Sequence, residues 1–569
     1  MNSQTLTQNN RKYDARQIAR FYRLRPWLGW ARATTIVFNF IWFIFGLKWD
    51  DFRGVAERNK LRRAVQLRKI LVSLGPTFIK VGQALSTRPD LIRKDFLEEL
   101  VKLQDQLPPF DNAIALRQIQ SELGHSIKEM FSELSPVPVA AASLGQVYRG
   151  RLHTGEEVAV KVQRPNLRPI LSLDLYLMRW AAGWLAPWLP LNLGHDLTLI
   201  VDEFGTKLFE EIDYLNEGRN AERFATNFRN DPRVKVPAIY WRYTSTRVLT
   251  LEWLNGFKLT DTKSIIAAGL DPQQVIEIGV TTGLQQLLEH GFFHADPHPG
   301  NLFAMPDGRM GYIDFGMMDQ LDETTKETLV DAVVHLINKD YADLAGDYVK
   351  LGFLTPDTDI RPIVPALEAL LGDAINRNVG DFNFKTITDE FSKLMYEFPF
   401  RVPAKFALII RSLVTQEGIA LSLNPNFKIV EVAYPYVARR LLMGESAQLR
   451  RRLINVLFKD GTFQWERLEN MIAIARTDNN FDLLPTAQMG LQYLLSDEGQ
   501  FLQQQLIIAL TEDDRLHAQE VQRLWNLVKD DLNPTRLLSA AFGVLTQYSR
   551  ERVAAILPPF STSSSMKNT

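Results

Sequence analysis

The amino-acid sequence predicts an α+β fold with two lobes, a small antiparallel sheet lobe followed by a helical lobe, with added helices at both ends. Three observations lead to this prediction. Residues 51–130 alternate basic and apolar positions at helical spacing, short β-branched and aromatic runs begin after Pro136, and helical periodicity returns after Gly256. Helices, then a small sheet, then helices again are typical of this fold class.

The composition narrows the class of protein. The chain has 569 residues, of which 46% are hydrophobic and 23% charged, enough for a large core and more than one structural unit. Its net charge of −1 gives no whole-chain attraction to nucleic acid, so we expect no nucleic-acid partner. The chain has no cysteine, which excludes disulfides, thiolate nucleophiles and cysteine-ligated metals.

Residues 1–50 form a basic and aromatic N-terminal extension that lacks the features of a cleaved signal peptide. Between residues 11 and 32, seven basic residues accompany a single acid and are interleaved with tyrosine and tryptophan. Fifteen uncharged residues then separate Arg32 from Lys48, fewer than the ~20 that a membrane-spanning helix needs. Two interpretations stay open: a helix in a membrane interface, or a helix docked on the protein's own core.

Changes of pattern predict four further regions. They are a helical region at 51–135, the sheet lobe at 136–255, the helical lobe at 256–445, and a helical C-terminal extension with a disordered tail at 446–569. Breaks at Gly75-Pro76 and Pro108-Pro109 are expected to divide the first region into several helices.

Strands of the sheet lobe are predicted in "SLGQVYRGRL", "EEVAVKVQ" and "RVLTLEWLNG". A helix that begins near residue 172 carries Trp180, Trp184 and Trp188 at four-residue spacing. We expect this tryptophan stripe to pack on the core rather than to contact lipid.

The segment "FFHADPHPGNLF" carries the side chains that indicate a reaction. Asp296 and Asn301 are five residues apart, and Asp314 follows Asn301 by thirteen within a D-F-G sequence. In protein kinases, H-x-D-x-x-x-x-N places an aspartate at the phosphate end of the cleft and an asparagine on Mg²⁺, and a hairpin returns the D-F-G aspartate to the metal. The intervening sequence predicts that hairpin, with strands at 302–305 and 310–313.

Lys161 in "EEVAVKV" matches the kinase strand whose lysine pairs with ATP phosphates, and "LEWLNG" resembles a kinase hinge. The order of strand lysine, hinge, H-x-D-x-x-x-x-N and D-F-G predicts a protein-kinase-like fold that binds ATP (or ADP) with Mg²⁺. A metal cluster of His294, Asp296 and His298 is the alternative. It would need further ligands, and no other histidine stands beside a carboxylate cluster in the sequence.

Three departures from ordinary protein kinases are informative. An alanine-rich stretch at 139–148 replaces the glycine-rich loop that covers the phosphates, and alanine restricts its backbone. His298 stands where protein kinases usually have lysine. The sequence after Gly316 is expected to be helical at once, with no A-P-E motif and no room for a long activation loop. The usual platform for a peptide substrate is therefore missing.

These departures, with "FIKVGQALSTRPDLI", "LQDQLPPF", "VAAASLGQVYRG" and "EEIDYLNE", resemble the UbiB family of atypical kinases, also called the AarF or ADCK family. The resemblance runs from about Arg53 to about Gly444, and the tail is similar to those of cyanobacterial and plastid members. It implies a kinase-like fold in which a helical K-x-G-Q region lies across the active site and blocks peptide access.

The resemblance also implies roles for single residues. The K-x-G-Q lysine, Lys80, meets the E-x-D motif, Glu217 pairs with Lys161, and the alanine-rich loop alters nucleotide preference and restrains self-phosphorylation. Without the resemblance, Lys80 would be interpreted as a solvated helix lysine. The implied catalytic residues are Asp296, Lys161, Glu217 and Lys80; the metal ligands are Asn301, Asp314 and Asp296; the nucleotide-binding residues are Ala140, Ala141, Ala142, Ser143, Gly145, Gln146, Lys161, Glu252 and Leu254; and the regulatory residues are Lys80, Gln83, Glu211 and Asp213.

Three functions remain open. The first is an ATP-dependent phosphotransferase or ATPase that acts on or near a prenylquinone precursor, since family members support the synthesis of ubiquinone, plastoquinone or tocopherol-type lipids. It would contact a membrane peripherally from its cytoplasmic face, such as a thylakoid or plasma membrane. The second is a catalytically weak, nucleotide-gated module that presents lipids or partners. The third is a small-molecule kinase, although such kinases lack the K-x-G-Q region.

Overall fold

The computed structural model describes residues 12–86, 93–104, 109–185, 197–337, 339–372, 398–443, 453–454, 456–459, 462–475, 522–523 and 526. The chain divides into two units. The first comprises Met1–Glu323 and Thr388–Phe427, and the second comprises Thr324–Ile387 and Lys428–Thr569. The first unit contains every residue of the candidate site. The region boundaries proposed near residues 50, 135, 255 and 445 stay predictions.

In the described part of the chain, seven α-helices precede the sheet of the first unit. They are α1 Ala15–Arg23, α2 Pro26–Phe52, α3 Ala56–Leu74, α4 Pro76–Leu85, α5 Lys94–Val101, α6 Asn112–Leu123 and α7 Ile127–Met130. Gly75 ends α3 with a φ of 93°, and Pro76 begins α4, so the predicted break between them is confirmed. The other predicted break includes Pro108, which lies outside the described residues.

The five-stranded sheet of the first unit is antiparallel, as predicted, and pairs its strands in the order β1-β3-β4-β6, with β2 also pairing with β3. The strands are β1 Phe131–Leu134, β2 Ala140–Ala141, β3 Gly145–Leu152, β4 Glu157–Gln163 and, after the short strand β5 Val234–Lys235 of another sheet, β6 Val248–Glu252. Val160 and Val162 of β4 are fully buried. Because strand side chains alternate, Lys161 points to the face opposite this valine core.

Between β4 and β5 the described residues form three helices, α8 Leu167–Leu185, α9 Leu197–Glu211 and α10 Tyr214–Asn227. Leu171 and Leu175 of α8 are fully buried, whereas Trp180 and Trp184 are 66% and 64% exposed. The prediction that the tryptophan stripe packs on the core is therefore wrong for these two residues. The third, Trp188, lies outside the described residues. The face of α8 that carries Leu171 and Leu175 is the one buried in the core, and Trp180 and Trp184 lie on another face.

The region after β6 contains more short strands than the sequence predicted. Its elements are β7 Phe257–Lys258, α11 Thr262–Ala267, α12 Pro272–Gln285, β8 Phe292–His294, β9 Leu302–Ala304, β10 Met310–Tyr312 and β11 Met318–Gln320. The antiparallel β9–β10 hairpin is confirmed. The expectation that a helix follows Gly316 at once is wrong, because β11 first pairs with β8 and the next helix begins at Glu323.

The remaining elements are α13 Glu323–Ile337, α14 Tyr341–Lys350, α15 Ile363–Leu367, α16 Ala404–Leu423, α17 Ile429–Met443, β12 Phe458–Lys459, β13 Thr462–Phe463 and α18 Trp465–Ala475. Helix α16 belongs to the first unit. In the second unit, the buried Asp347 carboxylate on α14 contacts His335 Nδ1 of α13 at 2.6 Å. The predicted tail and most of the predicted C-terminal extension lie outside the described residues.

Helix α2 docks on the core along one narrow face. Gly29, Phe43 and Asp50 are buried, and Ile36 packs against the apolar cluster of α3 and α4. These four residues recur every seven positions, which is the spacing of a single helix face. Large apolar side chains on the rest of α2 are exposed, namely Trp27, Leu28, Trp30, Val37, Phe38, Ile41, Trp42, Ile44, Phe45, Trp49 and Phe52. Docking on the core therefore accounts for one face of α2 only.

Two described helices are long and apolar enough to cross a membrane by length and composition alone, Pro26–Phe52 and Lys405–Leu423. The first is α2, which is longer than the fifteen-residue uncharged run because Arg32 and Lys48 lie inside it. The second lies within α16, where the buried Arg411 contacts loop residues of the same unit. That contact ties α16 to the interior of the first unit at Arg411.

Candidate functional site

Lys161 lies at the centre of a cluster of charged side chains. Its Nζ donates to both carboxylate oxygens of Glu217, at 2.7 and 3.0 Å, and lies 3.6 Å from Asp314 Oδ1. Strand β4 supplies the lysine, the first turn of α10 supplies Glu217, and the loop after β10 supplies Asp314. The structure thus places side by side three residues that the motifs predicted to share one site.

The β9–β10 hairpin places Asn301 beside Asp314. Asn301 immediately precedes β9, Asp314 closely follows β10, and the Asn301 Nδ2 donates to Asp314 Oδ2 at 3.2 Å. The backbone N–H of Gly316 donates to the other Asp314 oxygen at 3.0 Å. Carboxylate and amide oxygens are ligands that Mg²⁺ prefers, and an ammonium nearby suits phosphate. This donor set therefore fits a Mg²⁺-bound nucleotide.

Burial and ion pairing fix the charges of the cluster. Burial acts to raise the pKa of Asp314, but the Lys161 ammonium holds that pKa well below its usual range. Burial acts to lower the pKa of Lys161, but the Asp314 and Glu217 carboxylates raise it well above its usual value. Burial raises the pKa of Glu217 to about 7 despite the neighbouring ammonium. At neutral pH Lys161 is therefore positively charged and Asp314 is negatively charged.

Asp296 has a charged partner that the sequence did not reveal. The guanidinium of Arg411, on α16, lies 3.2 Å from Asp296 Oδ2 and donates through Nε to the carbonyl oxygen of Ala295 at 3.0 Å. Arg411 is itself buried. It fixes both the backbone and the carboxylate of the predicted catalytic loop. Its position 115 residues after Asp296, on a different helix, leaves no local motif by which sequence reasoning could have found it.

The two histidines of the loop are engaged in local hydrogen bonds. His294 Nδ1 accepts the backbone N–H of Asp296 at 3.1 Å, and His298 Nδ1 accepts the backbone N–H of Gly300 at 3.1 Å. Burial lowers the pKa of His294, which keeps its ring neutral. Among the residues that the structure describes, no group of three or more histidines and acids is arranged to hold a metal ion. These contacts give the rings a role in shaping the loop.

The K-x-G-Q helix, α4, reaches the site through Lys80. Its ammonium forms an ion pair with Glu211 at the end of α9, and it is close enough to Asp314 to help lower that pKa. Gln83 Nε2 donates to the carbonyl oxygen of Leu103 at 2.9 Å. A Cβ at Gly82 would overlap the Leu103 side chain. The glycine therefore allows α4 to pack closely behind the lysine.

The two acids of the E-x-D motif have different positions. Glu211 is the partner of Lys80, whereas Asp213 caps α10 by accepting the backbone N–H of Leu215 at 3.2 Å. Helix capping by aspartate stabilises the first turn, and that turn carries Glu217. Asp213 thus contributes to the site by positioning α10, while Glu211 joins α9 to α4.

The alanine-rich loop begins as a strand. Ala140 and Ala141 pair with Val147 and Gln146 of β3, and the carbonyl oxygen of Ala142 accepts hydrogen bonds from Arg164. Ser143 is buried. These contacts hold the stretch in a defined backbone conformation where ordinary kinases have glycines.

Two more of the residues predicted to bind nucleotide face inward. Gln146 is buried and bonds through its amide group to Tyr148 Oη at 2.6 Å and to the backbone N–H of Phe110 at 3.0 Å. A Cβ at Gly145 would lie 2.6 Å from the Val162 carbonyl oxygen, so only glycine fits there. Both residues thus shape the loop from within the sheet.

The two hinge-like residues, Glu252 and Leu254, have different surroundings. Glu252 forms an ion pair with Lys235 at 2.7 Å and accepts the backbone N–H of Ala238 at 3.1 Å. Leu254 is buried beside Gly311. The Glu252 side chain is committed to its own lobe, and the nucleotide-binding role given to both residues stays a prediction.

Comparison with known proteins finds similar sequences along most of the chain. The ABC1 atypical kinase-like domain matches residues 102–347, and the UbiB helical domain matches residues 367–428. An uncharacterized protein of Synechocystis is 67% identical over 550 residues, which is 97% of each chain. The Arabidopsis thaliana protein ACTIVITY OF BC1 COMPLEX KINASE 1, chloroplastic, is 48% identical over 520 residues, covering 88% of this chain and 76% of its own. Among solved structures, the Rv3197–erythromycin complex of Mycobacterium tuberculosis is 28% identical with a TM-score of 0.44, covering 62% of this chain and 90% of that chain.

Proposed function

Because the chain belongs to the ABC1 (UbiB) family of atypical kinase-like proteins, we propose that it is a Mg²⁺-ATP-dependent phosphotransferase or ATPase that supports prenylquinone metabolism at a membrane. The observation that carries the proposal is the cluster of Lys161, Asn301 and Asp314, whose side chains fit a metal-bound nucleotide. The chloroplastic relative supports a plastid-type membrane as the location, such as a thylakoid.

Each residue of the cluster has a distinct task. When bound, Mg²⁺-ATP supplies the phosphoryl group. Lys161 would hold the nucleotide phosphates, with Glu217 fixing the direction of its ammonium. Asn301 and Asp314 would offer oxygens to the metal. Asp296, held in place by Arg411, would accept the proton of an acceptor hydroxyl or of water.

The position of the K-x-G-Q helix favours a phosphoryl acceptor that is small or carried by a lipid. The ion pair of Lys80 with Glu211 places a positive charge and a helix beside the site. A bulky peptide would have to displace both, and the described chain forms strand β11 and then α13 where protein kinases have an activation loop. A prenylquinone precursor in a membrane is an acceptor of this kind, and the family resemblance points to the same class.

ATP turnover by the purified protein tests this proposal. We expect slow turnover in solution that rises when anionic liposomes and a quinone-precursor mimic are added together. Tight Mg²⁺-ATP binding with no turnover under any of these conditions would instead favour the nucleotide-gated module. Equal turnover with a water-soluble alcohol or amino sugar, without liposomes, would favour a small-molecule kinase.

We expect Lys80→Ala and Ala141→Gly each to raise self-phosphorylation and to lower the native, lipid-dependent activity. The first change removes the ion pair that holds α4, and the second frees the backbone of β2. Radiolabelled phosphate incorporation measures the first effect, and complementation of a quinone-deficient strain measures the second. Lys60→Ala, which breaks an exposed pair with Glu57, is the control. Two variants that stay unphosphorylated yet complement fully would contradict the occlusion.

We expect Arg411→Met to lower the turnover number by about 10- to 100-fold, because a misplaced catalytic carboxylate costs about that much. The affinity for Mg²⁺-ATP should fall much less than the rate, since the contacts of Lys161, Asn301 and Asp314 with one another do not involve Arg411. Arg411→Lys should recover part of the rate by restoring the charge. The measurement is steady-state turnover with a separate titration of nucleotide binding. Parallel losses of rate and affinity, with no recovery in Arg411→Lys, would show that Arg411 only stabilises the fold.

A further inference from the structure

Four tryptophans are exposed where α2 begins beside α8. Trp27 and Trp30 of α2 are 66% and 68% exposed, close to the values for Trp180 and Trp184 of α8. The two helices are in contact here, since a Cβ at Gly29 would lie 3.8 Å from both Leu173 and Leu177 of α8. Trp180 and Trp184 follow Leu177 by three and seven residues, so they lie on the same face of α8 as that leucine.

The exposed apolar surface continues in two directions. Along α2 it extends through the large side chains from Val37 to Phe52. Beside the end of α8 it includes Leu199 and Ile200 of α9, which begins against Gly183. Soluble proteins rarely leave so much contiguous apolar area without a partner. Tryptophan in particular favours the boundary between lipid and water, where its ring is buried and its N–H stays hydrated.

Exposed basic side chains precede the tryptophans of α2 in the chain. Lys12, Arg16, Arg20 and Arg23 of the α1 region are exposed, and Asp14 is the single acid among residues 12–25. Such a group of cations complements an anionic lipid surface and attracts it by about 1 kcal/mol per residue close to the membrane. A second copy of the chain docked through this region would bring the α1 cations of both copies into the same interface, which like-charge repulsion disfavours.

Both ends of α2 are tied to the folded protein by ion pairs. Arg32 donates to the fully buried Asp174 of α8 at 2.7 and 2.8 Å, and Asp50 accepts from Arg63 of α3 at 2.6 Å. A spanning α2 would carry these pairs, with parts of α3 and α8, into the hydrocarbon layer, where charges are very costly. The pairs therefore hold α2 along the protein surface.

We propose that α2 is an in-plane membrane helix, and that its exposed face and the exposed ends of α8 and α9 form one surface that docks on an anionic lipid bilayer. The tryptophans enter the interface, the α1 cations contact lipid headgroups, and the helix axis lies parallel to the membrane. This proposal specifies where and how the membrane contact of the proposed function occurs. It does not depend on chemistry at Asp314, so ATP binding and turnover in the absence of liposomes can succeed or fail independently of it.

Liposome flotation of the full-length protein tests the surface. Trp27→Gln with Trp30→Gln, and separately Trp180→Gln with Trp184→Gln, should each lower partition onto phosphatidylglycerol vesicles at least tenfold. Raised salt should weaken binding of the unaltered chain. Ile266→Gln removes an exposed apolar side chain of α11 and serves as the control, with no expected change. Unchanged flotation of both double variants would overturn the proposal, as would a surface covered by a second copy, visible as a dimer that the same variants dissociate.

Spin-label depth separates an in-plane helix from a spanning one. The chain has no cysteine, so single changes can be labelled cleanly at four exposed positions of α2: Trp30→Cys, Phe38→Cys, Phe45→Cys and Phe52→Cys. An in-plane helix places the four labels at one shallow depth. A helix along the membrane normal shifts depth by about 10 Å for every seven residues, since each residue rises about 1.5 Å. A depth profile of that second kind would overturn the in-plane assignment.

Discussion

Asp314→Asn is expected to abolish the stabilisation of the protein by Mg²⁺-ATP while leaving the fold intact. Asparagine keeps the shape of the side chain and an oxygen for the Gly316 N–H, but it removes the negative charge. In the unaltered chain, Lys161 maintains that charge by holding the pKa of the Asp314 carboxyl well below its usual range. That charge is what we assign to the metal. A ligand at a hundred times its Kd stabilises a protein by about 2.7 kcal/mol, and the variant should lose nearly all of it.

Thermal unfolding with and without Mg²⁺-ATP measures this effect. Asp307→Asn is a matched control, because Asp307 lies on the exposed turn of the same hairpin and pairs only with its neighbour Arg309 in the described structure. The control should be stabilised like the unaltered chain. If Asp314→Asn and Asp307→Asn were stabilised by Mg²⁺-ATP to the same extent, Asp314 could not be a metal ligand.

Asp174→Ala is expected to destabilise the first unit by about 3–5 kcal/mol, the usual cost of breaking a buried ion pair. The Asp174 carboxylate is fully buried and accepts from Arg32 of α2 and, at 2.6 Å, from Thr77 Oγ1 of α4. One side chain of α8 thus joins α2 to the helix that carries Lys80. The loss of unfolding free energy should be near the lower limit of this range, because Arg32 is partly exposed and its guanidinium can be hydrated in the variant.

Denaturant titration measures the loss of unfolding free energy. Thr77→Val removes one hydrogen bond of the same network and should cost about 1 kcal/mol. Asp359→Ala breaks an exposed pair with Arg361 and should have little effect. If Asp174→Ala were no more destabilising than Asp359→Ala, the Arg32–Asp174–Thr77 network would not hold α2 in place, and the in-plane assignment would lose its mechanical basis.

The closeness of the site residues to one another could be predicted because their motifs are local. Asp296, Asn301 and Asp314 belong to one loop and hairpin, and the spacing of five and thirteen residues is enough to bring them together. Lys161 was found because the short sequence "EEVAVKV" matches the kinase strand whose lysine pairs with ATP phosphates. Residues that act through long-range packing have no such signal, as Arg411 and Asp174 show.

The errors have a common physical origin. The four-residue spacing of the tryptophans identified one face of α8 as apolar. Such spacing does not tell whether protein or something else, such as lipid, covers that face. Strand β11 was missed because its three residues become a strand only by pairing with β8. The paired residues Met318 and His294 are 24 positions apart in the sequence. The length of α2 was underestimated because Arg32 interrupted the apolar run, although its charge is neutralised by Asp174 within the fold.

The central claim is that Asn301 and Asp314 hold a divalent cation between the phosphates of a nucleotide that Lys161 contacts. Calorimetric titration of the purified chain with ATP, once in Mg²⁺ and once in EDTA, tests it most directly. We predict saturable binding to a single site in Mg²⁺ and a loss of affinity of at least tenfold in EDTA. Equal affinity in the two solutions, or no binding in Mg²⁺, would contradict the account.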